Sequence, residues 1–146
     1  PVSALKRNQL EGLPELIGRY LPVSPPHFPP DQITDRSIEF QAAEIVREKL
    51  TLRLRQELPY GLTVGIEQLK EEEGRLFINA VIWVERNGQK AIVIGHGGEQ
   101  LKEVGRAARI EMSERFGRSV HLELWVKVKE NWSDNENALK QLGYEL

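Results

Sequence analysis

Hydrophobic positions in this chain switch between two periods, and the switches mark its elements. Val120, Leu122, Leu124, Val126 and Val128 alternate with His121, Glu123, Trp125, Lys127 and Lys129. A period of two places the first set on one face of a strand. The same alternation runs from Leu76 to Glu85, with Ile78, Ala80, Ile82 and Val84 facing one way. Phe77, Val81 and Trp83 occupy the opposite face, so part of that face is expected to be covered too. Leu62, Val64, Ile66 and Leu69 mark one side of an earlier strand, and Lys70 to Gly74 reads as the hairpin turn joining the two. The three consecutive glutamates of that turn point different ways and read as solvated rather than as a metal site.

Elsewhere the period lengthens to that of a helix. Ile38, Ala42, Ile45, Val46, Lys49, Leu50 and Leu54 lie along one side of a long helix, with Thr34 or Asp35 placed to cap its start. Pro59 and Gly61 end it near Leu58. Leu101, Val104, Ala108, Met112 and Phe116 give a second long helix its stripe from Glu99 onward, and Gly117 suits its C-terminal cap. Leu10, Leu13, Ile17 and Tyr20 recur at helical spacing in an N-terminal segment from Val2 to Tyr20, although Gly12 and Pro14 weaken its start. Asn131 to Asp134 opens a last short helix on Ala138, Leu139 and Leu142, closed by Gly143. Five prolines among residues 21–30 exclude a helix there and mark a stiff connector between domains.

The stretch between the second and third strands is the most informative. After a turn at Arg86-Asn87-Gly88, the aliphatic run Ala91 to Ile94 ends in Gly95-His96-Gly97-Gly98, and Glu99-Gln100-Leu101-Lys102 follows. This reads as a short helix, a tight loop and a second helix. Glycine permits positive φ and lets a ligand backbone come close. The helix start beyond it offers free N–H groups and a favourable dipole to an anion such as a phosphate. Four residues alone also fit a plain turn between packed helices.

Composition sharpens the picture only in places. The chain has 146 residues, a net charge of −2 and no cysteine, which excludes disulfides, thiolate metal sites and thiol catalysis. It opens on proline rather than Met, as a fragment or processed product would. No apolar run is long enough to cross a membrane as a helix. The charge is uneven: residues 86–129 carry nine basic side chains against five acidic ones, so the segment holding the loop is locally positive. A mixed-charge solvated helix face is the plainer account of the same count. His27, His96 and His121 share no metal-ligand spacing, and no Ser-His-Asp arrangement has local support. An enzyme reading is therefore not supported.

Together the elements describe an α+β domain, a three-stranded sheet with helices packed on one face. With the segment Val93-Ile-Gly-His-Gly-Gly-Glu-Gln-Leu-Lys102, this order resembles a type II KH domain with its mixed sheet, whose G-x-x-G loop clamps about four nucleotides of single-stranded nucleic acid. Ile33-Thr-Asp-Arg-Ser37, Glu44-Ile-Val-Arg-Glu-Lys-Leu50, Glu57-Leu-Pro-Tyr60, His121-Leu-Glu-Leu-Trp-Val-Lys-Val-Lys-Glu-Asn-Trp132 and Leu142-Gly-Tyr144 are similar to the Era family of bacterial GTPases, which join an N-terminal G domain to a C-terminal KH domain. The resemblance implies three parts. Residues 1–21 would be the end of a G domain, residues 22–32 a Pro-rich linker, and residues 33–146 the KH domain with an added C-terminal helix. Ser3-Ala4 resembles the Ser-Ala of the family's last guanine-contacting loop. The P-loop and Asn-Lys-x-Asp motifs are absent, so the chain is expected neither to bind nor to hydrolyse GTP. It needs no cofactor, whereas the parent protein would use GTP and Mg.

The resemblance further implies the 3′ end of small-subunit ribosomal RNA as ligand, a role in maturing the small ribosomal subunit, and a cytoplasmic location with peripheral inner-membrane association of the parent. DNA is not expected as a partner. The RNA-binding residues would be Gly95, His96, Gly97, Gly98 and Glu99, with phosphates on the N–H groups of His96 to Glu99. Lys90, Lys102 and Arg106 would add charge, and Ile92, Ile94, Leu101 and Val104 would line a groove against the edge of the sheet. The aliphatic four are also natural core positions. Trp83 and Trp125 are expected to pack under helices rather than to stack bases. One departure matters: the family usually has a basic residue in the middle of the loop, and His96-Gly97 brings less positive charge at neutral pH. A KH-like protein-interaction module without RNA binding is the alternative.

Overall fold

A computed structural model describes residues 1–26, 28–29, 34–54 and 62–130. The chain divides into two compact units, residues 1–35 and 36–146. The C-terminal helix expected after Asn131, the end of the helix expected near Leu58 and part of the Pro-rich connector lie outside the described residues.

In the first unit the helix is shorter than the Leu10–Tyr20 spacing predicts. Only α1, Leu13–Gly18, is helical, with Pro14 in its first turn. Proline needs no N–H partner there, so it starts the helix rather than spoiling it. Upstream, Ser3 and Asn8 pair as an isolated bridge. Arg7 and Gln9 have φ of 52° and 56°, which no helix continues through.

The second unit is built from α2 (Ile38–Leu54), β1 (Leu62–Glu72), β2 (Arg75–Val84), α3 (Asn87–Ile94), a single 3₁₀ turn at His96–Gly98, α4 (Glu99–Phe116) and β3 (Ser119–Val128). The sheet order is β1-β2-β3. β1 runs antiparallel to β2, and β3 runs parallel to β2, so the sheet is mixed. The parallel pair needs a crossover, and α3, the loop and α4 supply it.

Ser37, not Thr34 or Asp35, caps α2: its Oγ accepts the Phe40 N–H at 3.2 Å. Ser37 directly precedes the first helical residue, which is where a short oxygen reaches the third N–H of the helix. The hairpin is also longer than the Lys70–Gly74 turn expected from the charge run. Strand pairing continues to Glu72 opposite Arg75, leaving Glu73-Gly74 as a two-residue turn. Both turn residues have positive φ, 52° and 74°, the geometry that matches strand twist.

Inward side chains of β1, β2 and β3 meet α2, α3 and α4 in one core. Ile45, Leu50, Ile78, Ile82, Val93, Ala108 and Met112 are at most 2% exposed within it. The register shifts between Ile66 and Gln68, where one extra β1 residue is accommodated. This bulge lets both Ile66 and Leu69, three residues apart, pack against the core.

The other sheet face corrects an expectation. Trp83 and Trp125 do not lie under the helices. By strand alternation they share the opposite face with Phe77, Val81, His121 and Lys127. Trp125 is 58% exposed there, while Val81 is wholly buried. Lys127 reaches across to Glu67 at 2.6 Å, and its Nζ sits 5.5 Å from the centre of the Trp83 ring.

Candidate nucleic-acid interface

The loop is positioned from both sides by helices. α3 starts at Asn87, four residues before the aliphatic run, because Gln89 Oε1 accepts the Glu85 and Arg86 N–H groups at 2.8 and 3.0 Å. It ends when the Gly95 N–H reaches the Ala91 carbonyl at 2.9 Å. Gly95 then adopts φ 74° and ψ 176°, a region essentially closed to residues with a Cβ. Gln100 lies against it. A Cβ on Gly95 would stand 2.3 Å from Gln100 Cγ and 3.1 Å from its backbone nitrogen. Gln100 is itself held, since its Oε1 accepts Arg53 Nε of α2 at 3.2 Å. No sequence signal singles out this support from Gln100 and Arg53, because it depends on how α2 lies beside α4.

Gly97 and Gly98 also have positive φ, 60° and 79°, with open space where a Cβ would point. The tip is therefore bare backbone. Of the four N–H groups expected to face phosphate, two are used within the turn. Gly98 donates to the Gly95 carbonyl at 3.2 Å, and Glu99 donates to the His96 carbonyl. His96 and Gly97 are exposed, and no backbone acceptor engages their N–H groups among the described residues.

The side chains sort differently from their order in sequence. His96, Glu99, Lys102 and Arg106 are exposed, and Lys90 is half-buried. Among the described residues no ion pair engages Lys90, Lys102 or Arg106. Ile92 is 38% exposed beside the loop, and Ile94 and Leu101 are half-buried. Val104, expected to help line a groove, is 2% exposed and belongs to the core. Its place on α4 turns it into the core, so it supports the surface from below.

Both α3 and α4 pack on β3. That strand pairs only with β2, so its outer edge carries backbone N–H and C=O groups free of a sheet partner among the described residues. Leu122 and Leu124, half-buried on β3, form the wall opposite the helices. Gly105 lets α4 approach here: a Cβ on it would meet Leu124 Cδ1 at 3.3 Å. The inward alternation of β3 names both leucines in the sequence, but not the helix pair they face. Ser3 and Ala4 belong to the first unit, where Ser3 Oγ accepts the Lys6 N–H at 3.3 Å.

The assembled surface is a glycine turn with open amides, flanking cations, a partly apolar floor and a free strand edge. Among the described residues no three acidic or imidazole side chains gather as a metal would require. No described helix is long and apolar enough to cross a membrane.

A family model for the KH domain matches residues 57–133. The chain is 56% identical over 145 residues to GTPase Era of Stenotrophomonas maltophilia strain K279a, covering 99% of this chain and 49% of that protein. It is 51% identical, with the same coverage, to GTPase Era of Coxiella burnetii strain Dugway 5J108-111. The chain thus spans about half the length of these relatives. Among solved structures, an Aquifex aeolicus Era variant bound to GDP.AlF4- superposes over the whole chain with a TM-score of 0.91 at 42% identity, using 50% of that protein. A structure of Era in complex with MgGDPNP and nucleotides 1506–1542 of 16S ribosomal RNA matches equally, with a TM-score of 0.91, 42% identity and 49% of that chain. With a glycine loop set between two helices of a three-stranded mixed sheet, and with the matched residues spanning that whole arrangement, the chain belongs to the KH domain family.

Proposed function

We propose that this chain binds single-stranded ribosomal RNA through its Gly95–Gly98 loop. It would be the RNA-binding part of a GTP-hydrolysing factor that acts on the 3′ end of small-subunit ribosomal RNA as that subunit matures. The observation that carries the reading is a structural neighbour over the full chain that is complexed with 16S ribosomal RNA. This chain holds no P-loop, so GTP hydrolysis would belong to the remainder of a longer protein, in the cytoplasm and peripherally at the inner membrane.

The chemistry follows from the loop. A phosphate would accept from the open His96 and Gly97 amides, with the α4 dipole behind it. Lys90, Lys102 and Arg106 would neutralise neighbouring phosphates, making affinity fall with salt. Bases would lie over Ile92, Ile94 and Leu101 against Leu122 and Leu124. The free β3 edge would read their hydrogen-bonding edges. Without a lysine or arginine at position 96 or 97, affinity on the order of micromolar is expected.

The test is a fluorescence-anisotropy titration of a labelled oligonucleotide matching the 3′ end of small-subunit ribosomal RNA. Wild type is compared with a His96→Asp, Gly97→Asp variant. Aspartate tolerates the left-handed geometry of Gly97, and the space there is open, so the variant should fold. Loss of binding places phosphate capture at the loop. Equal binding by the two moves the site elsewhere. No binding by either turns the reading toward a protein-interaction module.

A further inference from the structure

α4 segregates its charges by neighbour. Gly105 marks the side facing β3, through Leu124. At 100° per residue, Arg109 and Lys102 lie about 40–60° around the helix from Gly105, and Arg106 about 100°. All three are exposed and, among the described residues, none forms an ion pair. Two of its acids reach the other way, toward α2. Glu103 Oε2 stands 3.7 Å from Arg53, and Glu111 bonds Lys49. Arg115, on the same helix, is tied to Glu111 at 2.9 Å. Glu99, in the first turn where the helix dipole favours it, and Glu103, three residues before Arg106, are the acids nearest the cationic flank.

This separation leaves a row of cations, Lys102, Arg106 and Arg109, along the rim where α4 meets the free edge strand. Lys102 and Arg109 are about 10 Å apart along the axis. We propose that Arg109, continuing from Lys102 and Arg106, extends a phosphate-binding track from the glycine loop along α4, and that it holds a single-stranded RNA backbone without reading its sequence. This rests on the RNA reading above. It adds a named residue, and it says that the contact with α4 runs on past Lys102 and Arg106 instead of ending there.

The experiment measures RNA affinity against salt concentration for wild type, Arg109→Ala and Arg115→Ala, using two oligonucleotides of different sequence. Each variant removes one positive charge from the same helix, so long-range effects are matched. A lost phosphate contact on a single strand lowers the slope of log K against log salt by about 0.7. The expected result is that drop for Arg109→Ala, an equal loss of affinity for both sequences, and an unchanged slope for Arg115→Ala. An unchanged slope for Arg109→Ala overturns the track while leaving loop binding in place, and so does a drop shared equally by both variants. A loss confined to one sequence would make Arg109 a base reader and likewise overturn it. Failure of wild type to bind either oligonucleotide overturns the RNA reading itself, and the track with it.

Discussion

Gly95→Ala should be far costlier than Gly97→Ala, although both alter one glycine of the same loop. At Gly95 two penalties combine. The φ, ψ pair of 74° and 176° is open essentially to glycine alone, with a cost of order 1–3 kcal/mol for another residue. The new methyl would also lie 2.3 Å from Gln100 Cγ and 2.8 Å from its Cβ, well inside the ~3.5–4.0 Å of favourable carbon contact. Gln100 cannot simply swing aside. Its Cβ and backbone nitrogen belong to α4, and its amide oxygen is held by Arg53. At Gly97, φ 60° and ψ 16° are ordinary left-handed values, and nothing lies within 4 Å of the added carbon. That substitution should cost about 1 kcal/mol, and Gly95→Ala at least about 2 kcal/mol more. Urea unfolding followed by tryptophan fluorescence measures the difference. All three tryptophans lie in residues 36–146, so the signal reports that unit alone. Values within about 0.5 kcal/mol of each other, smaller than either penalty, would show that the loop does not lean on Gln100 and would refute the reasoning. In the RNA titration Gly95→Ala should also lose binding, while Gly97→Ala keeps it.

Two further outcomes follow from the packing. The Lys49 hydrogen bond holds the Glu111 carboxyl below its usual value, against a smaller opposing effect of burial. A depressed folded value means stability that is present above the unfolded carboxylate range, near 4.5, and lost as pH falls through the folded value. Glu111→Gln should therefore cost about 0.5–1 kcal/mol at pH 7, and the gap to wild type should close below pH 4.5, as denaturant midpoints across pH would show. Deleting Glu67 should leave a folded domain. Gln68 would follow Ile66 directly, the β1–β2 ladder would lose its bulge, and Leu69 would still face the core. Amide spectra showing a collapsed sheet would contradict the register.

Much of this domain is legible in local pattern. The alternation of β2 and β3, the apolar stripe of α4 and its Gly117 cap, with φ 62°, stand in the structure where the sequence puts them. These depend on period and on one residue's backbone freedom, which are properties of neighbours along the chain. The glycine loop is legible for the same reason, but whether it is more than a plain turn is not written in its four residues.

What sequence alone determined here is the succession of elements and the face of each that is apolar. Only the tertiary structure decided which faces meet. Trp125 reads as a packed aromatic until the helices are seen to cover the other side of the sheet, leaving it 58% exposed. Val104 and Ile94 look equally suited to a groove, yet the first is buried and the second reaches the surface, because Val104 is on the face of α4 that packs into the core. Gln100 matters to Gly95 only because Arg53 of α2 comes beside it. The sorting of α4 cations from α4 acids appears only once α2 and β3 take opposite flanks. Periodicity records the angle of a side chain about its own element, and a site is made by the distance between elements, which no single stretch of chain contains.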